Sequence, residues 1–273
     1  MKTANIPVST AFSGSIPQHY DSGLGPMFFE PFAQHLGERI AELAPATVLE
    51  LACGTGRLTR HIAQRLSPIT RIVATDVNPA MLHFAQEAIS DPRIEWNTVD
   101  AVVLPYADAS FDLVVAQFGV MFYSDRVAAY RETLRVLRPG GRLLFTCWNE
   151  LAMNPAARIT QEVVKRSFPL DTPAFYTVPF SYFDRGLIRE EVLSAGFATA
   201  NMDLANLTGH ANTANDASRG LLEGSPIHTA ILDRDPNALP IMRKELTSEL
   251  AATFGTTELR VPLSAWVVEA VKG

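Results

Sequence analysis

The chain has 273 residues, 47% of them apolar and 19% charged, and a formal net charge of −6. This length exceeds that of a typical domain, roughly 100–150 residues, so one enlarged α/β domain or a core with a cap is expected. The acidic balance and the absence of any dense Lys/Arg block argue against a phosphate-neutralising surface, and no nucleic-acid partner is expected.

Cys53 and Cys147 are the only cysteines. Both lie in or beside apolar runs, which suits reduced thiols in a reducing compartment. The opening MKTANIPVSTAF has no apolar signal core, and no run reaches the roughly 18 uninterrupted apolar residues of a membrane span. A cytoplasmic protein without a membrane span is expected.

Residues 1–45 hold a Pro- and Gly-rich opening, then PFAQHLGERIAELA with apolar residues at three- and four-residue spacing, a helix. A regular alternation follows. TVLELA (47–52) predicts a strand, RLTRHIAQRL (57–66) a helix, RIVATD (71–76) a strand, and PAMLHFAQEAI (79–89) a helix with proline in its first turn. RIEWNTVD (93–100) and FDLVVAQF (111–118) predict strands, and RVAAYRETLRVL (126–137) a helix stopped by Pro139-Gly140-Gly141. GRLLFTCW (141–148) is a fifth strand. Nearly continuous apolar strands alternating with helices indicate a parallel sheet covered on both faces. Beyond it, helices are expected near 156–167, 186–195, 213–223 and 238–254, and strands near 197–205 and 260–271.

The loop after the first strand, Ala52-Cys53-Gly54-Thr55-Gly56, is rich in small residues. In a doubly wound sheet the ligand sits beyond the carboxyl ends of the strands, where glycines admit close backbone approach and helix N–H groups face negative charge. Asp76, twenty residues after Gly56, ends the next strand, where a carboxylate can accept from ribose hydroxyls. Together these features imply an adenosine-type ligand. A dinucleotide fingerprint would place a third glycine at Thr59, and a carboxylate at Glu50 would repel a pyrophosphate. Glu50 suits instead the ammonium of S-adenosylmethionine, which carries no phosphate. A structural ion pair with a nearby Arg or Lys is the alternative, because a buried carboxylate left alone costs several kcal/mol.

VLELACGTG, ATDVNPAML, VDAVVLPYADASFDLVVAQFGVMFYSD and LRVLRPGGRLLFTCW, in that order, resemble the class I S-adenosylmethionine-dependent methyltransferases. Within these the chain is most similar to the small-molecule group related to quinone-biosynthesis enzymes. The resemblance spans about residues 46–148, with weaker echoes in LIREEVLSAGFATANM and VPLSAWVVEAVK. It implies an α/β, Rossmann-like, doubly wound and mostly parallel seven-stranded sheet, with an antiparallel last strand and a helical cap built from insertions. Its expected division is a helical lid segment at 1–45, a cofactor-binding core at 46–148 and a cap insertion at 149–183. The core continues over 184–207, a second helical cap covers 208–258, and a terminal strand covers 259–273. Ala52 departs from the family, which usually has glycine there.

By this resemblance Glu50, Ala52, Gly54 and Gly56 surround the methionine part of the cofactor, with Tyr20 as a lid contact. Asp76 holds the ribose, and Val77 and Met81 pack on the adenine. Asp100 contacts the adenine amino group, Ala101 supplies a backbone N–H, and Gln117 offers its carbonyl to the ammonium. No metal is required. His19 is a candidate general base from the same N-terminal segment, and a surface histidine is its plain alternative. Met81 can equally be core, and Asp100 a turn cap.

The acceptor wall is expected from the aromatics of FPLDTPAFYTVPFSYF (168–183), among them Phe175, Tyr176 and Phe180, with Phe122 and Tyr123 after the fourth strand and Trp148 after the fifth. The Asn/Asp-Pro-Pro-aromatic tetrapeptide of enzymes that methylate adenine or glutamine amides is replaced by AQFG. A small-molecule substrate is therefore expected, with the acceptor atom (O, N or C) and a monomer or homodimer left open. A non-catalytic cofactor-binding partner and an NAD(P)-dependent oxidoreductase are the competing readings.

Overall fold

The computed structural model describes residues 16–173 and 175–273, the side chains of residues 16 and 175 excepted. A short helix α1 (Ile16–His19) runs into a wide π-type coil (Tyr20–Phe29) and then α2 (Glu30–Leu43). The core follows as β1 (Thr47–Glu50), α3 (Arg57–Arg65), β2 (Arg71–Asp76), α4 (Pro79–Ala88), β3 (Ile94–Thr98), β4 (Phe111–Gln117), α5 (Arg126–Val136) and β5 (Leu137–Trp148). Then come α6 (Pro155–Ser167), α7 (Arg185–Ser194), β6 (Thr199–Thr213), α8 (Ala214–Glu223), α9 (Ile227–Arg234), α10 (Ala238–Phe254) and β7 (Thr257–Val271).

Seven strands form one sheet in the order β3-β2-β1-β4-β5-β7-β6. The first five are parallel, and β7 runs antiparallel to both β5 and β6. The order reverses between β1 and β4, so a crevice opens beyond Glu50 and Gln117, the last residues of those two strands. Val48 and Leu49 of β1 are fully buried, as helices on both faces of a parallel sheet require.

Helix starts follow their local chemistry. Asn78 caps α4 by accepting from the N–H groups of Ala80 and Met81, and Pro79 occupies a first-turn position. Asp125, Asp184 and Thr213 cap α5, α7 and α8 in the same manner.

Several segments differ from expectation, β1 among them, which ends at Glu50 rather than 52. β5 begins at Leu137 rather than 141, because Pro139-Gly140-Gly141 is accommodated at a register shift against β4. β6 and β7 are longer than expected, pairing from Thr199↔Val271 out to Thr213↔Thr257. The outer part of β6, LANLTGHANT, has no two-residue apolar alternation; pairing with β7 makes it a strand. The short helix α9 behind Pro226 was not expected, since eight residues give too little periodicity to read.

The N-terminal coil lies against β6 and α8. Pro26 interrupts its regular hydrogen bonding, and the Glu30 N–H reaches back to the Gly25 carbonyl. Two close backbone approaches demand glycine. A β-carbon added to Gly209 would lie 1.8 Å from the Met27 carbonyl oxygen, and one added to Gly23 would lie 2.6 Å from Cα of Gly220. Gly209→Ala is therefore predicted to destabilise the fold by about 1–3 kcal/mol through overpacking. The gain that a Gly→Ala change in a strand ordinarily brings is reversed. A fall in the urea midpoint at unchanged slope is the expected result; an unchanged midpoint would mean that the coil yields freely.

Candidate active site

Glu50 ends β1 between Ala74 of β2 and Val115 of β4, and only 1% of its surface is exposed. Its Oε2 accepts a 2.7 Å hydrogen bond from the Thr59 hydroxyl. Among the described residues no Arg or Lys pairs with it, so the structural ion pair considered from sequence is not formed. Burial pushes the Glu50 carboxyl up to about 8, opposed by the Thr59 hydrogen bond and reinforced by the nearby Asp76 charge.

The loop after β1 turns through three left-handed residues, Ala52 (φ 54°), Gly54 (φ 57°) and Gly56 (φ 78°). Space at Gly54 is open, with nothing within 4 Å of an added β-carbon. Ala52 carries a methyl group in a conformation that favours glycine. Room for that methyl comes from Gly119 after β4, where a β-carbon would sit only 2.5 Å from Cβ of Ala52.

Asp76 ties the loop to β2. Its Oδ2 accepts from the Gly54 N–H and its Oδ1 from the Asn78 N–H, both at 2.8 Å. The Val77 N–H is a third backbone donor to this carboxylate, whose two oxygens together still keep a lone pair for a ribose hydroxyl. Burial raises the Asp76 pKa against the lowering effect of these backbone donors. Val77 is half-buried, Met81 and Ala101 are buried, and the exposed Asp100 caps a turn by accepting from the Val102 N–H. The Tyr123 hydroxyl is buried without a hydrogen-bond partner, and its pKa is raised by burial and by the Asp76 and Asp100 charges. Tyr123 thus faces the same side as those carboxylates.

Residues that sequence reasoning passed over hold the N-terminal segment on this loop. The Arg57 guanidinium bonds Glu30 Oε2 at 2.7 Å, Asp21 Oδ1 at 3.0 Å and the Asp21 carbonyl at 2.7 Å. The Thr55 hydroxyl also donates to Asp21 Oδ1 at 2.9 Å. These partners stand 27 to 36 positions apart with no fixed spacing, so no motif marks them. Thr59, noted only as a missing glycine, carries a positive signal: it stands in the first turn of the helix that faces Glu50.

The segment so held places Tyr20, stacked on Phe29 at 4.9 Å, over a recess that Glu50, Ala52, Gly54 and Gln117 also line. The recess measures about 30 Å³. The Gln117 amide nitrogen donates to the Phe29 carbonyl at 2.8 Å, while its Oε1 is buried without a partner. Partly buried His19 ends α1 and is not among the lining residues. A larger cavity of about 250 Å³ lies at the opposite end of the sheet, near the start of β4 and the Arg138–Arg142 turn, away from the crevice where ligands collect in this topology.

The expected acceptor residues separate into groups. Trp148 stacks on Phe118 at 3.8 Å and meets Phe28, Phe32 and Phe180 at 5.5–5.7 Å. Phe122 packs half-buried against the core. Tyr176 is buried, its hydroxyl donating to the Leu221 carbonyl of α8 at 2.6 Å. The side chain of Phe175 lies outside the described residues.

The donor set fits the proposed cofactor. A carboxyl with no cation beside it and an unpartnered amide oxygen face one recess, suited to an ammonium. An open glycine cradle leads from there to Asp76.

Residues 48–141 match the family model for a methyltransferase domain. A ubiquinone/menaquinone biosynthesis C-methyltransferase of Hahella chejuensis is 41% identical over 105 residues, which cover 37% of this chain and 42% of that protein. The match thus spans less than half the length of such curated relatives. Phosphoethanolamine N-methyltransferase 2 of Haemonchus contortus, solved with S-adenosyl-L-methionine, superposes with a TM-score of 0.60 at 18% identity, covering 96% of this chain and 58% of that one. The YcgJ protein of Bacillus subtilis gives a TM-score of 0.54 at 17% identity, covering 88% of this chain and 98% of that one. At these identities the structural likeness shows the fold. Residues 48–141 thus match a methyltransferase domain, and this part of the chain is similar to the quinone-biosynthesis C-methyltransferases.

Proposed function

We propose that the chain transfers a methyl group from S-adenosylmethionine to a small, partly apolar or aromatic acceptor. One observation carries this reading: Glu50 is buried at the end of β1 with no cationic partner, in a recess that also presents the free amide oxygen of Gln117. When bound, the cofactor supplies an activated methyl group on a sulfonium. The protein's share is to orient and to exclude water, and alignment of this kind can supply roughly 7–11 kcal/mol of a barrier.

In this reading Glu50 and Gln117 receive the ammonium, and the loop through Gly54 lies along the methionine part. Asp76 takes the ribose hydroxyls, with Val77, Met81 and Ala101 around the adenine. Thr59 donates to Glu50, a use of that position that supports this reading over a dinucleotide. The acceptor wall comes from Trp148, Phe118, Phe180 and the N-terminal aromatics. The curated C-methyltransferases match only the cofactor half, so their acceptor is not carried over, and the acceptor atom is decided by the second half of this chain.

S-adenosylhomocysteine is expected to raise the melting temperature, whereas NAD and NADP leave it unchanged; the reverse pattern rejects the proposal. Asp76→Ala should weaken S-adenosylhomocysteine about 10- to 150-fold, the loss of a charge-assisted bond of roughly 1.5–3 kcal/mol. Calorimetry on the folded variant checks this. Methyl release from the labelled cofactor with pooled metabolites separates an enzyme from a non-catalytic binder.

Glu50 predicts a pH signature. Its folded pKa of about 8 lies above the 4.5 of the free group, so the folded state holds the proton more tightly. The ligand-free fold therefore loses stability from Glu50 as pH rises between those values, and no more above the upper one. Glu50→Gln should be more stable than wild type at about pH 8, with the gap closing toward about pH 5. An ammonium beside Glu50 favours the ionised form, so binding releases a proton and wild-type affinity should climb from about pH 6 to 8. Loss of the charge on the ligand's own α-ammonium group limits affinity at higher pH. Glu50→Gln should bind more weakly and lack the acidic limb. An acidic limb that persists in the variant would remove Glu50 from the site.

Phe180→Ala should change turnover of any acceptor while leaving S-adenosylhomocysteine affinity within about twofold, since apolar walls act through buried area at about 25 cal/mol per Å². Loss of cofactor affinity equal to the loss of turnover would make this ring part of the cofactor site instead.

A further inference from the structure

The side chain of Gln117 bridges the end of β4 and the N-terminal coil. Its amide nitrogen donates to the Phe29 carbonyl at 2.8 Å, and Phe29 closes the N-terminal coil. That carbonyl is only an acceptor, so the NH2 group must face it and the amide oxygen must face away. The oxygen is then left buried, without a partner among the described residues, in the recess that Glu50 and Tyr20 line. An unpartnered buried acceptor disfavours the arrangement that buries it. Here that arrangement is the docked coil.

Two further features bear on the coil. At about 30 Å³ the recess is small beside the roughly 300–1,000 Å³ of a ligand site, so lifting the coil of Tyr20 and Phe29 would enlarge it for an amino-acid moiety. The ion pairs that hold it, Arg57 with Asp21 and Glu30, are 15–40% exposed, and such pairs contribute little net stability.

We infer that Gln117 couples the amine of a bound ligand to closure of the Tyr20–Phe29 coil: its amide nitrogen holds the Phe29 carbonyl while its amide oxygen accepts an N–H from the amine. This rests on the proposal that the recess takes the methionine part of S-adenosylmethionine. A ligand with the amine supplies the missing donor and favours the docked coil; an adenosine ligand without it leaves the oxygen alone. Closure also places Phe29 5.8 Å from Phe118 and 6.2 Å from Trp148, so binding of the amine completes one side of the aromatic wall. Gln117 is in this sense a positioning residue for the acceptor site.

Hydrogen exchange on the full chain tests the inference, with the coil followed as a peptide covering residues 20–29. The probes are S-adenosylhomocysteine, which carries the amine, and 5′-methylthioadenosine, which does not. In wild type, saturating S-adenosylhomocysteine should slow exchange in the coil about fivefold more than saturating 5′-methylthioadenosine does. Gln117→Met, nearly isosteric and unable to make either bond, should erase this difference and weaken S-adenosylhomocysteine at least about tenfold. Its affinity for 5′-methylthioadenosine should be unchanged. Equal protection by the two ligands in wild type overturns the inference without any variant, and so does full protection retained in Gln117→Met. If wild type binds neither ligand, the underlying proposal falls and the inference with it. Binding of both with equal protection removes the coupling alone.

Discussion

A carboxyl group buried at the end of the central strand organises this molecule. Glu50 sits where the strand order reverses, flanked by β2 and β4, and the fold gives it a hydroxyl but no cation. Burial of a carboxyl in this way is costly, and it is the reason the group holds its proton to about pH 8. The cost is offset when a cation arrives from outside. In the proposed function that cation is the ammonium of the cofactor.

The neighbouring loop is built to the same end by different means. Three left-handed residues turn the backbone so that the Gly54 N–H meets Asp76. The carboxylate proposed to hold the ribose thereby also shapes the loop after β1. Ala52 shows how tightly these parts are fitted, because its methyl group is tolerated only where residue 119 has no side chain. A side chain added at residue 119 alone would strain the crossing of β1 and β4.

Above the loop lies the N-terminal coil, held by partly exposed ion pairs, by the Gln117 amide and by stacked aromatics. Below the coil, Gly209 and Gly220 let β6 and α8 approach its backbone closely. The second half of the chain therefore supports the lid as well as the acceptor wall. This links cofactor and acceptor sites physically although they arise from different parts of the sequence.

Much of the core was legible because its signals are local. Apolar runs of strand length, proline after Asn78, and glycines after a strand each depend on neighbours within a turn or two. They place Asp76 at a strand end and Glu50 two residues before one without any knowledge of the fold; that β1 ends at Glu50 itself is seen only in the structure. Three matters were decided only by the tertiary structure. Glu50 pairs with Thr59 rather than an arginine. Arg57 turns to Asp21 and Glu30, and Gln117 reaches Phe29 88 positions away. The full length of β6 belongs with these, since pairing with β7 overrides a weak local preference. The division has one physical reason: backbone propensity and apolar periodicity act over a few residues, whereas the partner of a polar side chain depends on which distant segment the closed sheet brings beside it.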